Sequence, residues 1–165
     1  MIIYPNFYFN KITEIKIEFL KENNIRALIL DVDNTLLDFD LKYVEGLEEW
    51  YKEIKDSNIK CMIVSNSNKT DKVKMVANLL KIPYIKFATK PLKRGFKKAI
   101  KVLDFPSENI AVVGDQIFTD VIGANRMKMI SILVEPLDEK DIWMTKIKRP
   151  IENFVIKKYL EKTNR

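Results

Sequence analysis

The chain has 165 residues, 47% of them hydrophobic and 32% charged, with a net charge of +6. That length suits one domain with a real core, and no run of 18 apolar residues is present to suggest a spanning helix. There is no histidine and a single cysteine, Cys61. This excludes Ser–His and Cys–His catalysis, imidazole metal sites and an internal disulfide, and makes a reducing, cytoplasmic setting the expectation.

The opening segment, MIIYPNFYFNKITEIK, lacks the basic start, long apolar centre and small-residue cleavage site of a secretory signal. Phe7, Tyr8 and Phe9 suit either docking on the domain or contact with a membrane surface. A helix is predicted over Lys11–Asn23. The strand predicted over Arg26–Asp31 then ends on two carboxylates one residue apart, Asp31 and Asp33. Like charges that close repel unless a cation or a shared proton holds them. A divalent metal, with one carboxylate left to attack an electrophile, is the simplest account.

Helices and strands alternate from there. Helices are predicted over Val44–Lys55, Lys69–Leu80, Arg94–Leu103 and Asp120–Met127. Strands are predicted over Ile59–Val64, Tyr84–Phe87, Asn109–Gly114 and Met129–Val134. The strands are rich in Ile, Val and Leu with little alternation, as in parallel strands buried on both faces. Leu47, Trp50, Tyr51 and Ile54 recur at helical spacing, as do Val73, Val76, Ala77 and Leu80, which marks them as packing residues. Cys61 reads as a small buried thiol, and Thr70 and Ser107 as helix caps or turn residues. The implied architecture is a three-layer, doubly wound parallel sheet of five core strands in one domain, with its core at about residues 25–135.

A basic tail follows from residue 141. Residues 140–165 hold eight Lys/Arg against three Asp/Glu, and Pro150 is expected at a helix start. The tail's Trp143, Met144, Ile147, Ile151, Phe154, Val155 and Tyr159 fit docking on the domain or lying on an anionic membrane equally well.

In doubly wound sheets ligands collect at the carboxyl ends of the strands. Asp31, Asp33 and Thr35 follow the first strand. Ser65 and Asn66 follow the second, Thr89, Lys90 and Pro91 the third. Gly114, Asp115, Gln116, Thr119 and Asp120 follow the fourth. This inventory matches phosphate-monoester hydrolysis, a reaction that enzymes speed by up to ~10²¹-fold, largely by positioning and charge neutralisation. One aspartate attacks phosphorus. A second, two residues on, protonates the departing alkoxide and then activates water. Mg²⁺ suits an all-oxygen site that includes Asp115. Ser65, the backbone N–H of Asn66 and Lys90 suit phosphate binding, with Thr35 beside them, and Asp120 suits orienting Lys90 or a metal-bound water.

DVDNT at 31–35, Ser65-Asn66, Lys90-Pro91 and GDQIFTD at 114–120 resemble, in order, the four motifs of the haloacid dehalogenase superfamily. The resemblance implies Asp31 as nucleophile, Asp33 as general acid/base, and Ser65 and Lys90 as phosphate ligands. It also implies Mg²⁺ held by Asp31, Asp115 and the backbone carbonyl of Asp33. The stretches LDVDNTLL, IVSNSN, KIPYIKFATKPLKRGF, VVGDQIFTDVIGANR and MISILVEP further resemble the small bacterial YqeG subfamily, which is similar to mitochondrial phosphatidylglycerophosphatases. The expected substrate is therefore phosphatidylglycerophosphate, and the expected location cytoplasmic with peripheral contact to the inner face of an anionic membrane.

Only 29 residues separate Thr35 from Ser65, and 24 separate Ser65 from Lys90. One helix and one strand fill each interval, leaving no room for a cap domain. The site is thus expected to be open and able to admit a phosphate borne on something large. Two alternatives share this inventory. A phosphatase for nucleic-acid ends or sugar phosphates would keep the site, although no basic stripe interleaved with aromatics supports a nucleic-acid partner. A receiver-type phosphoacceptor domain would carry a similar acidic pair, hydroxyl and lysine, but Asp33 supplies the acid/base that turnover needs.

Overall fold

Strands that bury both faces must pair within one sheet and be covered by helices on each side. In the computed structural model, which describes residues 2–138 and 143–163, the strands are β1 Phe7–Phe9, β2 Ala27–Leu30, β3 Lys60–Val64, β4 Tyr84–Ile85, β5 Ile110–Gly114 and β6 Ile130–Val134. All pair in parallel, in the order β1-β6-β5-β2-β3-β4. The helices are α1 Ile17–Glu22, α2 Leu47–Asp56, α3 Thr70–Leu80, α4 Lys93–Leu103, α5 Ile122–Arg126 and α6 Trp143–Thr163.

Alternate residues of β2 face opposite layers. Leu28 and Leu30 pack with Trp50 and Ile54 of α2 and Val73, Val76 and Leu80 of α3. Ala27 and Ile29 pack with Phe96, Ala99 and Leu103 of α4 and Ala124 of α5. Trp50 is buried, and its indole N–H donates to the carbonyl of Ile15 at 2.9 Å. Cys61 is a buried free thiol.

The chain runs outward from β2 to β3 and β4, then returns to the other side of β2 as β5. Strand order therefore reverses between β2 and β5, and a crevice opens above their carboxyl ends. Asp31 leaves β2 there and Asp115 leaves β5, with Leu30 in register with Val113.

Several local expectations need correction. The sheet has six strands, because Phe7–Phe9 adds an edge strand on β6. Phe7 and Phe9 are held edge-on to Phe19 at 4.8 and 5.1 Å, and the Tyr8 hydroxyl donates to Glu135 at 2.5 Å. The helix expected over Lys11–Asn23 is a 3-10 turn, Ile12–Glu14, followed by the short α1, with Ile15 in extended backbone between them. β4 stops at Ile85, since Phe87 adopts a positive φ of 49°. Thr70 is the first residue of α3 rather than its cap, and its hydroxyl accepts a bond from the Lys86 ammonium at 3.1 Å. Pro150 lies inside α6 rather than at its start. The apolar tail residues divide: Val155 is buried, while Ile151 and Phe154 are 54% and 61% exposed. The side chains of Trp143, Met144 and Ile147, and residues 139–142, lie outside what the structure describes. The intervals from Thr35 to Ser65 and from Ser65 to Lys90 hold only α2 with β3 and α3 with β4, so no cap domain covers the crevice among the described residues.

Candidate active site

The loop after β2 is tight. The N–H groups of Thr35, Leu36 and Leu37 all donate to the carbonyl of Val32, and Asn34 takes a left-handed φ of 57°. Asn tolerates that conformation better than most residues. The loop leaves Asp31 buried and Asp33 on the rim. The Asp33 side chain is 41% exposed and ion-paired with Lys72 of α3.

After β5 the backbone turns through one π-helical turn, Ile117–Val121, before α5 begins. Such turns are frequent at functional sites. This one folds Asp120 back over Gly114, where an added Cβ would lie 2.2 Å from the Asp120 carboxylate. Only glycine fits there, so residue 114 sets how far inward Asp120 reaches. One carboxylate oxygen from each of Asp31, Asp115 and Asp120 lies within 4.8 Å of the other two, and all three residues are buried. Asp33, expected among the metal-binding residues through its backbone carbonyl, does not bring its carboxylate into this group.

Lys90 is a buried cation of the cluster. Its ammonium donates to Asp31 Oδ1 at 2.7 Å and to Asp120 Oδ1 at 2.6 Å. Its main chain is clamped by Asn66, whose Oδ1 accepts from the Lys90 N–H at 2.7 Å and whose Nδ2 donates to the Lys90 carbonyl at 2.9 Å. The Asn66 side chain thus holds the lysine loop. Ser65 is fully buried, and its hydroxyl accepts the N–H of Ser67 at 3.1 Å. The Thr35 hydroxyl is buried with no hydrogen-bond partner. Sequence reasoning missed Arg149 of α6, whose guanidinium donates to Asp115 Oδ2 at 2.7 Å. The eight Lys/Arg of the tail gave no sign of which would turn inward.

The electrostatics follow from crowding. Burial pushes the Asp31 carboxyl up to about 7, with Lys90 pulling against it and Asp120 adding to it. Asp115 is held well above the ordinary carboxylate range by burial, then by Asp31 and Asp120, with Arg149 opposing. Burial works against the charge of Lys90, but Asp120 and Asp31 outweigh it and raise its pKa. Among the described residues, the three clustered carboxylates and Glu152 face two cations, Lys90 and Arg149. The Asp115 Oδ1 atom is buried with no hydrogen-bond partner, an expensive state for a carboxylate oxygen in a protein interior. A hard divalent cation fits this donor set: all-oxygen, net negative and under-satisfied.

Asp31 and Asp115 both have raised folded-state pKa values, so the folded protein binds their protons more tightly than the unfolded chain. The stability that Asp31 contributes is complete below the ordinary value of about 4 and is lost as pH rises through about 7, and Asp115 contributes in the same direction. Thermal unfolding of metal-free protein is expected at a lower temperature at pH 8 than at pH 5.5. Added Mg²⁺ is expected to raise the midpoint more at pH 8, where Asp31 is ionised. Equal Mg²⁺ shifts at the two pH values would contradict this account.

Comparison with known proteins bears on the chemistry. Residues 1–137 match the family model described as mitochondrial PGP phosphatase. The chain is 37% identical over 153 residues to the probable phosphatase YqeG of Bacillus subtilis, covering 92% of this chain and 88% of that protein. It is 35% identical over 121 residues to the mitochondrial phosphatidylglycerophosphatase GEP4 of Saccharomyces cerevisiae, covering 64% of each. An uncharacterised protein from Listeria monocytogenes serotype 4b shares the fold, with a TM-score of 0.57 at 20% identity over 72% of this chain and 85% of that one.

Proposed function

This chain belongs to the mitochondrial PGP phosphatase family and is a phosphatase, and from that premise we propose that it hydrolyses phosphatidylglycerophosphate through an aspartyl-phosphate on Asp31, with Mg²⁺. The observation that carries the reading is the gathering of Asp31, Asp115, Asp120 and Lys90 at the point where the strand order reverses.

In this reading Asp31 attacks phosphorus while the bond to the ester oxygen breaks. Asp33, on the rim where the alcohol leaves, gives its proton to that oxygen. The Asp33 carboxylate then takes a proton from water, whose oxygen bonds to phosphorus as the bond to Asp31 breaks, and inorganic phosphate departs. Lys90 favours the ionised form of Asp31 and lies beside the charge that develops on the phosphoryl oxygens. Ser65, the backbone N–H of Asn66 and the partnerless Thr35 hydroxyl bind those oxygens. Asp31, Asp115 and the backbone carbonyl of Asp33 would hold Mg²⁺, which would supply charge neutralisation to nucleophile and phosphate. Asp120 orients Lys90.

A lipid substrate is supported by the rim. The loops leaving the carboxyl edge expose Phe39, Leu41, Phe87 and Leu92, in the company of Lys42, Lys86, Lys93 and Arg94. A cavity of about 300 Å³ beside the Lys90 loop is lined by Phe87 together with Lys86, Arg94 and Lys98. Exposed apolar side chains with lysine and arginine close in the chain suit an anionic bilayer surface, although Asp38 and Asp40 flank Phe39. No helix among the described residues is long and apolar enough to cross a membrane. In this reading the whole chain acts as one domain docked peripherally on the cytoplasmic face.

Purified protein with Mg²⁺ is expected to release phosphate from phosphatidylglycerophosphate in anionic vesicles, and to lose that release in excess EDTA. Inertness on the lipid beside turnover of soluble sugar phosphates or nucleic-acid ends would move the substrate to those classes.

A further inference from the structure

The family model ends at residue 137, yet α6, which lies beyond it, reaches into the acidic cluster. Arg149 grips Asp115 at two points. Its Nη2 donates to Asp115 Oδ2 at 2.7 Å and its Nη1 to the Asp115 main-chain carbonyl at 3.2 Å. A planar fork holding side chain and main chain together fixes the torsions between them. The grip uses Oδ2 and leaves Oδ1, buried, without a hydrogen-bond partner.

One turn on, Glu152 makes a second attachment. It is 2% exposed, and its Oε1 accepts the N–H groups of Ile117 and Phe118 at 2.9 and 3.2 Å. These residues open the π-helical turn that carries Asp120. Glu152 also pairs with Arg149 at 3.7 Å. Val155, a further turn along, packs with Ile117, Val121 and Leu133. So α6 is attached to residues 115–118 by a cation, an anion and an apolar contact on successive turns. Burying charge in this way often stabilises less than apolar packing would, so the arrangement calls for a role other than holding the helix down.

We propose that Arg149 is a positioning residue of the metal centre. It sets the Asp115 carboxylate so that Oδ1 meets the divalent cation, and Glu152 holds Arg149 and the 117–118 backbone in place. The proposal rests on the reading of Asp31, Asp115 and Asp120 as a cation site.

The sign of one measurement decides it. By Coulomb's law alone, removing a positive charge beside a cation site tightens cation binding. Loss of positioning weakens it. Titration calorimetry of Mn²⁺ into full-length Arg149→Gln is expected to give a dissociation constant about 10- to 100-fold above wild type, the range for groups that orient a metal ligand. Arg149→Lys keeps the charge but not the fork, and is expected to fall between the two. It serves as the deciding variant if Arg149→Gln does not fold. Binding by either variant as tight as wild type, or tighter, overturns the positioning role. Failure of the wild type itself to bind Mn²⁺ at a site that Asp115→Asn removes would overturn the cation site on which the proposal stands.

Discussion

Asp31→Asn is expected to lower phosphate release by about 10⁴- to 10⁶-fold, the scale seen when a catalytic nucleophile is removed, while leaving the protein folded. The physical case lies in the surroundings of Asp31. Burial and Asp120 disfavour its charge, and Lys90 at 2.7 Å supports it. Asparagine keeps the shape and can still accept that hydrogen bond, but it cannot form the acyl phosphate. Because the native carboxyl titrates near 7, its ionised form burdens the folded protein at pH 8. The metal-free variant is therefore expected to unfold at a higher temperature than wild type at pH 8, and at nearly the same temperature at pH 5. Rate and midpoint together separate a lost nucleophile from a misfolded site. Asp33→Asn serves as the contrasting variant: its half-exposed carboxylate is not one of the three clustered groups, so it is expected to slow turnover by about 10²- to 10⁴-fold with Mn²⁺ affinity retained. Near-wild-type release by Asp31→Asn would remove the aspartyl-phosphate mechanism.

Lys90→Met is expected to cost about 3–5 kcal/mol of stability at pH 8, the scale for stripping the partner from a buried ion pair. The ammonium serves two buried carboxylates at once, Asp31 and Asp120, and methionine fills its volume without its charge. For a chain of this size each kcal/mol moves the melting midpoint by about 2–4 °C, so a fall of about 6–20 °C is predicted. The loss is expected to shrink at pH 5, where Asp31 takes up a proton. Combining Lys90→Met with Asp31→Asn is expected to restore part of it, since one stranded charge is then gone. A single-variant loss below about 1 kcal/mol at pH 8 would show that the two carboxylates do not depend on this lysine.

The amino-acid sequence by itself determined the fold class, a parallel sheet covered on both faces, and which residues follow its five core strands. Apolar runs such as Ala27–Leu30 and Ile110–Gly114 are buried on both faces as parallel strands of one covered sheet, and parallel strands bring the residues that follow them to one edge. Asp31, Asp115 and Lys90 were legible for this reason. The partnership of Asp120 with Lys90 was also legible, since Asp120 follows β5 by a single turn.

Tertiary structure alone decided the rest, because these contacts join segments with no local pattern in common. The edge strand Phe7–Phe9 is three residues long and takes its partner from β6, at Ile132–Val134. Asp33 and Asp31 are two residues apart, yet the turn closing on the Val32 carbonyl buries one and sends the other to Lys72. In α6 the ordinary reading of hydrophobicity holds for Val155 and fails beside it. Charged Glu152 is buried while Ile151 and Phe154 face solvent, because the inward face must meet the backbone N–H groups of Ile117 and Phe118 and the carboxylate of Asp115. Which of many basic residues turns inward is set by the groups waiting opposite it, and those belong to a loop 34 residues earlier in the chain.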